Sequence, residues 1–295
     1  MADTGNPPTK AADPASAAIV DKPGIQRSMA EDVAEAIRDI RKLVRWLRGV
    51  RAENWIVLLL AIALVCSWEW IATQFSRAII PSMGETADAF FSMLQDDRRN
   101  YFNAVVNTIQ NYYAGLGLAI LVGWGLAGLM GLSPLLGQVM KVVLDFLGNI
   151  PIIAFMPLFV ALLGLGAAAK IVIVLLAAAI VIATTAHAAF ESVDRGAEEA
   201  ARGLGANRLQ AQFFVVWPQV LPQMIAGLRL GAAQALTACI IAEIYTAMTG
   251  LGGLIVGYGA SFNMPRYFVA VLTTLAIGGA TATVLRHLER RFAVP

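Results

Sequence analysis

Residues 191–222 read ESVDRGAEEAARGLGANRLQAQFFVVWPQVLP, from Glu191 to Pro222, and form the longest polar interruption in the apolar half of the chain. Charge fills the first part of this segment, and apolar residues return towards its end. Ser192 or Asp194 can cap a short helix, and Gly205 can supply the left-handed turn that ends it. Asn207 can cap a second helix, which carries Leu209, Phe213, Val216 and Trp217 on one broad face, with Pro218 closing the segment. Apolar runs lie on both sides, so these residues make a two-helix elbow between membrane spans. Small alanines outward and an apolar face describe a docking surface. They also describe an amphipathic loop lying at a membrane interface.

The rest of the composition places the elbow in a membrane protein. Of 295 residues, 58% are hydrophobic and 14% charged, more apolar surface than one aqueous core can hide. The net charge of +2 carries no sign of nucleic acid as a partner, because the basic residues cluster beside the spans. Cys66 and Cys239 fall within apolar stretches and read as small buried hydrophobes rather than a disulfide.

Residues 1–27, rich in Pro, Ala, Asp and Lys without a period, are expected to be a disordered cytoplasmic tail. Residues 28–54 read as an amphipathic interfacial helix. Ser28 and Glu31 make a capping box, Val33, Ile37, Ile40, Val44 and Leu47 recur at helical spacing, and Arg38, Arg41, Lys42, Arg45 and Arg48 take the other side. The first apolar run starts at Trp55, after this charged helix, so targeting is expected to use the first span itself.

About six spans are expected over residues 55–292, near 55–73, 105–132, 139–163, 169–186, 224–248 and 267–284. A short outer helix is expected near Glu85–Leu94. Gly123, Ala127 and Gly131 form a small-residue ridge for close helix approach. The third span is broken by Pro151 and Pro157. Basic residues concentrate on one side: Arg38 to Arg51, Lys141, Arg195, Arg202, Arg208, Arg286, Arg290 and Arg291, against Arg77, Arg98, Arg99 and Arg266 on the other. That bias puts both termini and the 191–222 elbow in the cytoplasm.

A few polar residues fall inside or beside the spans. Arg229, near the inner end of the fifth span, either snorkels to headgroups or gives the inner part of a path a positive charge. Glu243 lies about four turns further along, deep enough to need an inter-helix hydrogen bond or a role in the path. Lys141 and Asp145 are expected to pair locally, Lys170 to anchor the outer interface, and Glu69 to reach headgroups without a partner. The glycines from Gly250 to Gly259 permit tight re-entrant turns, and no Lys-Ser or Lys-Thr follows to make them a phosphate loop.

The pattern Glu199-Ala200-Ala201, three residues, Gly205, nine residues, Val215, one residue, Trp217-Pro218 resembles the EAA loop of ABC-importer permeases, with Val215 and Trp217 in place of the usual Ile and Leu. Further stretches are similar to the nitrate/sulfonate/taurine-type branch of that family: Trp68-Glu69, Ile80-Pro81-Ser82, Ile150-Pro151, Pro157-Leu158, Gly164-Leu165-Gly166 with Lys170, Gly227-Leu228-Arg229, and Ala242-Glu243 followed by Gly250-Leu251-Gly252.

The resemblance implies an all-α integral membrane protein of the type I ABC importer permease fold, in a bacterial inner membrane, with both termini cytoplasmic. It implies a homodimer whose interface forms the path, two ATP-binding subunits and an extracytoplasmic solute-binding protein, with membrane lipid around it. ATP and Mg would sit on the partner ATPase, with no cofactor or metal in this chain. The ATPase-docking residues would be Glu199, Ala200, Ala201, Gly205, Ala206, Phe213 and Pro218. The path would run by Asn149, Pro151, Pro157, Arg229, Gly231, Ala235, Ala238 and Glu243. Substrates in the branch are small and mostly anionic, though some members carry pyrimidine precursors or aromatic acids.

Two other classes compete. An ion-coupled secondary transporter would show inverted repeats and midplane carboxylates beside broken helices; Pro151 and Glu243 give it footing, but no second half matches the first. A membrane-embedded enzyme would need a convergent catalytic set within the spans, and none is evident. His187 and His287 stand far apart at span ends.

Overall fold

The computed structural model describes residues 52–292, apart from 77, 78, 194, 247 and 248. The expected tail over 1–27 and nearly all of the amphipathic helix over 28–54 lie outside the described residues, as does Asp194. The chain divides into two compact units, Met1–Ser67 and Trp68–Pro295. In the first unit the described residues belong to α1 (Ala52–Gln74). Leu59, Leu60, Ile62 and Leu64 are all exposed there, the all-round apolarity of a helix whose solvent is lipid.

The second unit is built from helices throughout its described residues. In order these are α2 (Met83–Gln95), α3 (Arg98–Leu132), α4 (Pro134–Gly148), a 3-10 turn (Ile152–Phe155), α5 (Met156–Leu163), α6 (Ala167–Glu191), α7 (Arg195–Gly203), α8 (Arg208–Ala211), a π-helical turn (Gln212–Val216), α9 (Trp217–Tyr245), α10 (Gly250–Ala260) and α11 (Met264–Phe292). Among the described residues, α3, α6, the run Leu209–Tyr245 and α11 are long and apolar enough to cross a membrane, and a bent pair raises the total to five. The first expected span falls on α1, a helix of 23 residues.

The centre of the unit is α6, packed most extensively against α3 and α9. Its buried side is mostly alanine, with Ile173, Val174 and Ile182 between. Bulk on one helix meets glycine on the next. A Cβ on Gly115 would stand 2.5 Å from Val174, and one on Gly123 would stand 2.8 Å from Ile182. Gly227 of α9 gives the same room to Thr185. The apolar effect contributes little between helices already in lipid, so close approach and dispersion hold these spans.

The third expected span is bent by 70° between Leu135–Gly148 and Ile152–Leu163. The break is at Asn149–Pro151, where the Asn149 side chain donates to the Asp145 carbonyl at 2.6 Å. Pro157 does not break it. That residue sits in the first turn of α5, where its missing donor costs nothing.

The expected outer helix is α2. Its Ser82 and Glu85 form a reciprocal capping box. The preceding turn is tied to the end of α1: Trp68 Nε1 donates to the Pro81 carbonyl at 3.0 Å, and the Met83 amide donates to Glu69 at 3.2 Å. Glu69 thus has a protein partner, contrary to expectation.

Candidate functional site

The elbow begins at the end of α6. Ser192 closes that helix rather than opening the next, its hydroxyl oxygen standing 2.8 Å from the Ala189 carbonyl and 2.9 Å from Gln223 Oε1. Helix α7 then ends on Gly205, at φ +94°. The Gly205 amide donates to the Arg202 carbonyl at 3.0 Å and the Ala206 amide to the Ala201 carbonyl at 3.1 Å. These two bonds are a Schellman closure, which needs a left-handed residue where glycine now stands. Asn207 and Gln210 cap each other reciprocally at 2.8 and 2.9 Å.

Past Asn207 the chain departs from expectation. The second helix does not close at Pro218 but runs through a π-helical turn into α9, where the Trp217 amide bonds to the Gln212 carbonyl. Pro218 follows immediately, in the first turn of α9. A widened turn absorbs a proline that would otherwise clash with the carbonyl four residues back. The elbow is therefore the first part of the fifth span.

The apolar face expected on this helix is split. Val216, Val220 and Met224 bury against Ala127, Ala186 and Ala189. Leu209, Phe213 and Phe214 stay exposed, and Leu204 at the tip is 92% exposed. Phe213 stacks on Trp217 with centroids 6.2 Å apart. Glu199 and Ala200 are exposed and Ala201 and Ala206 are half-buried. The elbow thus presents a carboxylate, small residues and four bare apolar side chains on a hydrogen-bonded turn.

At the other end of the unit lies a buried polar centre. Glu243 is fully buried. Thr108 Oγ1 stands 2.8 and 2.9 Å from its two oxygens, and the Gly252 amide donates to Oε2 at 3.0 Å. The Leu251 amide donates to Thr108 Oγ1 at 2.9 Å, and Asn111 also interacts with the carboxylate. Glu243 on α9 and Thr108 on α3 therefore satisfy the orphan amides that open α10. Gly250, at φ +75°, leaves the space in which the carboxylate sits. Its glycines make a helix here rather than the expected re-entrant turns.

Lys170 is buried and donates to Thr249 Oγ1. It acts electrostatically on Glu243, so it belongs to this centre and is not an interface anchor. Lys141 also departs from expectation. Its partner is Glu191, at 2.9 Å, rather than Asp145, because the end of α6 passes beside α4.

The family described as binding-protein-dependent transport system inner membrane component matches residues 115–294. The chain belongs to that family. It is 31% identical over 173 residues to the taurine transport system permease protein TauC of Escherichia coli (strain K12), a match covering 59% of this chain and 63% of the relative. The match thus spans under two thirds of the taurine permease. The chain is 25% identical over 270 residues to SsuC of Bacillus subtilis (strain 168), named for aliphatic sulfonates transport, covering 90% of this chain and 94% of that one. Its fold is that of a chain in an inward-facing crystal form of the MetNI methionine ABC transporter, with a TM-score of 0.62 at 18% identity, over 68% of this chain and 99% of that one. The family is one of multi-pass membrane components, and these relatives are named as permeases rather than enzymes.

The matched region holds all of the candidate path residues, and the structure distributes them in two groups. Gly231, Ala235 and Ala238 of α9 are buried. Ala235 and Ala238 join the central core cluster, and Gly231 abuts Ile182 of α6. In this chain they face inward on their own subunit. The exposed stripe of α9 is instead Leu230, Gln234 and Thr237. Asn149, Pro151 and Pro157 at the bend are exposed, and the adjoining 3-10 turn touches α9. Arg229 pairs with Glu289 of α11 at 3.5 Å, a partner hidden in a run that reads as basic. Thr108, Asn111 and Glu289 were not singled out by sequence; each is an ordinary polar residue until the fold brings its partner near.

Proposed function

We propose that this chain is the membrane-spanning subunit of an ATP-driven importer, working as a homodimer with two ATPase subunits and an extracytoplasmic solute-binding protein. The observation that carries the reading is the hydrogen-bonded elbow with bare Leu204, Leu209, Phe213 and Phe214 beside an exposed Glu199. Apolar anchors beside a charge are the anatomy of a docking surface. Membership of a binding-protein-dependent family supports the partners, and the basic-residue bias supports a cytoplasmic elbow and termini. ATP and Mg belong on the ATPase. The solute is small and anionic, in keeping with relatives named for taurine and aliphatic sulfonates. An ion-coupled transporter would want a carboxylate free for its ion, whereas Glu243 is committed to α10.

Within the dimer the path runs along Leu230, Gln234 and Thr237 of α9 and the exposed bend at Asn149, Pro151 and Pro157. Arg229 and Glu289 sit towards the inner mouth, and the subunits rock as rigid bodies when the ATPases close. Cysteines at 230, 234 and 237, with Cys66 and Cys239 removed, should change their labelling when ATP and vanadate are added, while one at 235 should stay unlabelled. Equal labelling of all four in both states would remove this path.

Docking is tested with Gly205→Pro and Glu199→Lys. Proline cannot take φ +94° and lacks the amide that bonds Arg202, so the turn opens. Lysine reverses a charge meeting a basic groove. Each should cut co-purification of the ATPase at least about tenfold, with normal membrane insertion. ATPase recovery at the parent level with both variants would refute docking through this elbow.

A further inference from the structure

Beside the elbow lies a cavity of about 500 Å³. It is lined by residues from the ends of α3, α4 and α6, by the π-helical turn and by Glu198 of α7. Adjacent glutamates therefore divide: Glu199 is exposed at the elbow, and Glu198 turns to the cavity. Two side chains in its wall are more than nine-tenths buried without hydrogen-bond partners. Both ring nitrogens of His187, 8% exposed, and Nε2 of Gln212, 6% exposed, are unsatisfied. The His187 ring rests on Gly137, and the Gln212 amide lies where a Cβ on Gly131 would meet it at 3.2 Å.

Such groups are costly to bury unmatched. The cavity size lies in the roughly 300–1,000 Å³ range of small-ligand sites. The charges indicate the sign of the ligand. Glu191 is neutralised by Lys141, and its Oε1 stands 3.6 Å from His187 Nε2. Glu198 has no cationic partner among the described residues. Among the described side chains this leaves one carboxylate of the wall without a cation, beside an imidazole and a primary amide.

We propose that this cavity binds one small hydrogen-bonding organic cation, a guanidinium or primary ammonium, between Glu198 and the His187–Gln212 wall. Its planar or trigonal set of N–H donors matches a carboxylate and a ring nitrogen together. The terminal amide of Gln212, turned about its last bond, presents its carbonyl oxygen to the same ligand. Bound there, the cation bridges α7 to the end of α6 and stiffens the elbow relative to the spans. The cation is either a free cytoplasmic compound or a basic side chain of the docked ATPase; the second source rests on the docking function proposed above.

The probe is methylguanidinium chloride, added to the full-length purified chain without ATPase. Tetramethylammonium chloride at equal concentration is the control, a cation with no N–H. Methylguanidinium should raise the melting midpoint saturably and receive magnetisation transfer at its methyl group, and the control should do neither. Glu198→Gln should weaken binding at least about tenfold, or 1.4 kcal/mol. Gln212→Met keeps the shape of the wall and should weaken it several-fold, and it decides the matter if Glu198→Gln fails to fold. Binding of the probe is read without ATPase, so it and the docking proposal fail separately. With ATPase added, release of the probe assigns the cation to an ATPase side chain, and joint binding assigns it to a free compound. Absence of saturable binding, or undiminished binding in the folded variants, overturns the proposal.

Discussion

Replacing Glu243 with leucine is expected to lower the stability of the subunit by at least about 3 kcal/mol, the cost of leaving buried donors unmatched. Leucine fills a similar volume, so packing is not what is lost. The Gly252 amide loses its acceptor, Thr108 loses the group it donates to, and Lys170 loses its electrostatic interaction with the carboxylate. The first turn of α10 should then detach from α3 and α9. Glu243→Gln retains an acceptor for Gly252 and should cost less, about 1 kcal/mol. The measurement is the folded fraction after detergent extraction, with the melting midpoint of what survives. A leucine variant extracted and melting like the parent would show that this centre does not hold the bundle.

The second large effect concerns the contact between α3 and α6. Gly115→Leu should separate the two helices, at a cost of about 3 kcal/mol. The new Cβ would stand 2.5 Å from Cβ and Cγ1 of Val174 and 3.2 Å from the Ile171 carbonyl. A β-branched residue on a helix has one favoured rotamer and cannot swing aside, and the carbonyl belongs to the helix ladder. Gly117, two positions along the same helix, has nothing within 4 Å of its Cβ position. Gly117→Leu should therefore extract and melt like the parent. Equal behaviour of the two variants would mean that the close approach at 115 is not what joins α3 to α6.

These sites differ in how far the sequence announces them. The turn at Gly205 and the cap at Asn207 are local: each motif needs only neighbours within six residues, and both stand where the spacing puts them. The π-helical turn before Pro218 was not legible, because proline forbids a regular helix without saying whether the chain stops or widens. Long-range partners were harder still. Lys141 has Asp145 four positions away but pairs with Glu191, and Arg229 finds Glu289, sixty positions on. Burial of Lys170 depends on α10 folding back over Glu243, which no periodicity encodes. The face of α9 was hidden for a different reason. A span apolar all round carries no moment, so only its neighbours reveal that the small residues at 231, 235 and 238 serve the subunit interior.

The π-helical turn between elbow and span has a mechanical consequence. An α-helix advances about 100° of rotation per residue, so tightening the widened turn into regular α-helix would swivel everything before it by about that angle around the axis of α9. The exchange would trade one backbone hydrogen bond for another and leave the span beyond Pro222 in place. Amide exchange at Trp217, whose N–H bonds Gln212 across the turn, would report it. Such a tightening would let the joint between elbow and span take up a twist within one turn, while a push along α9 would still reach the span.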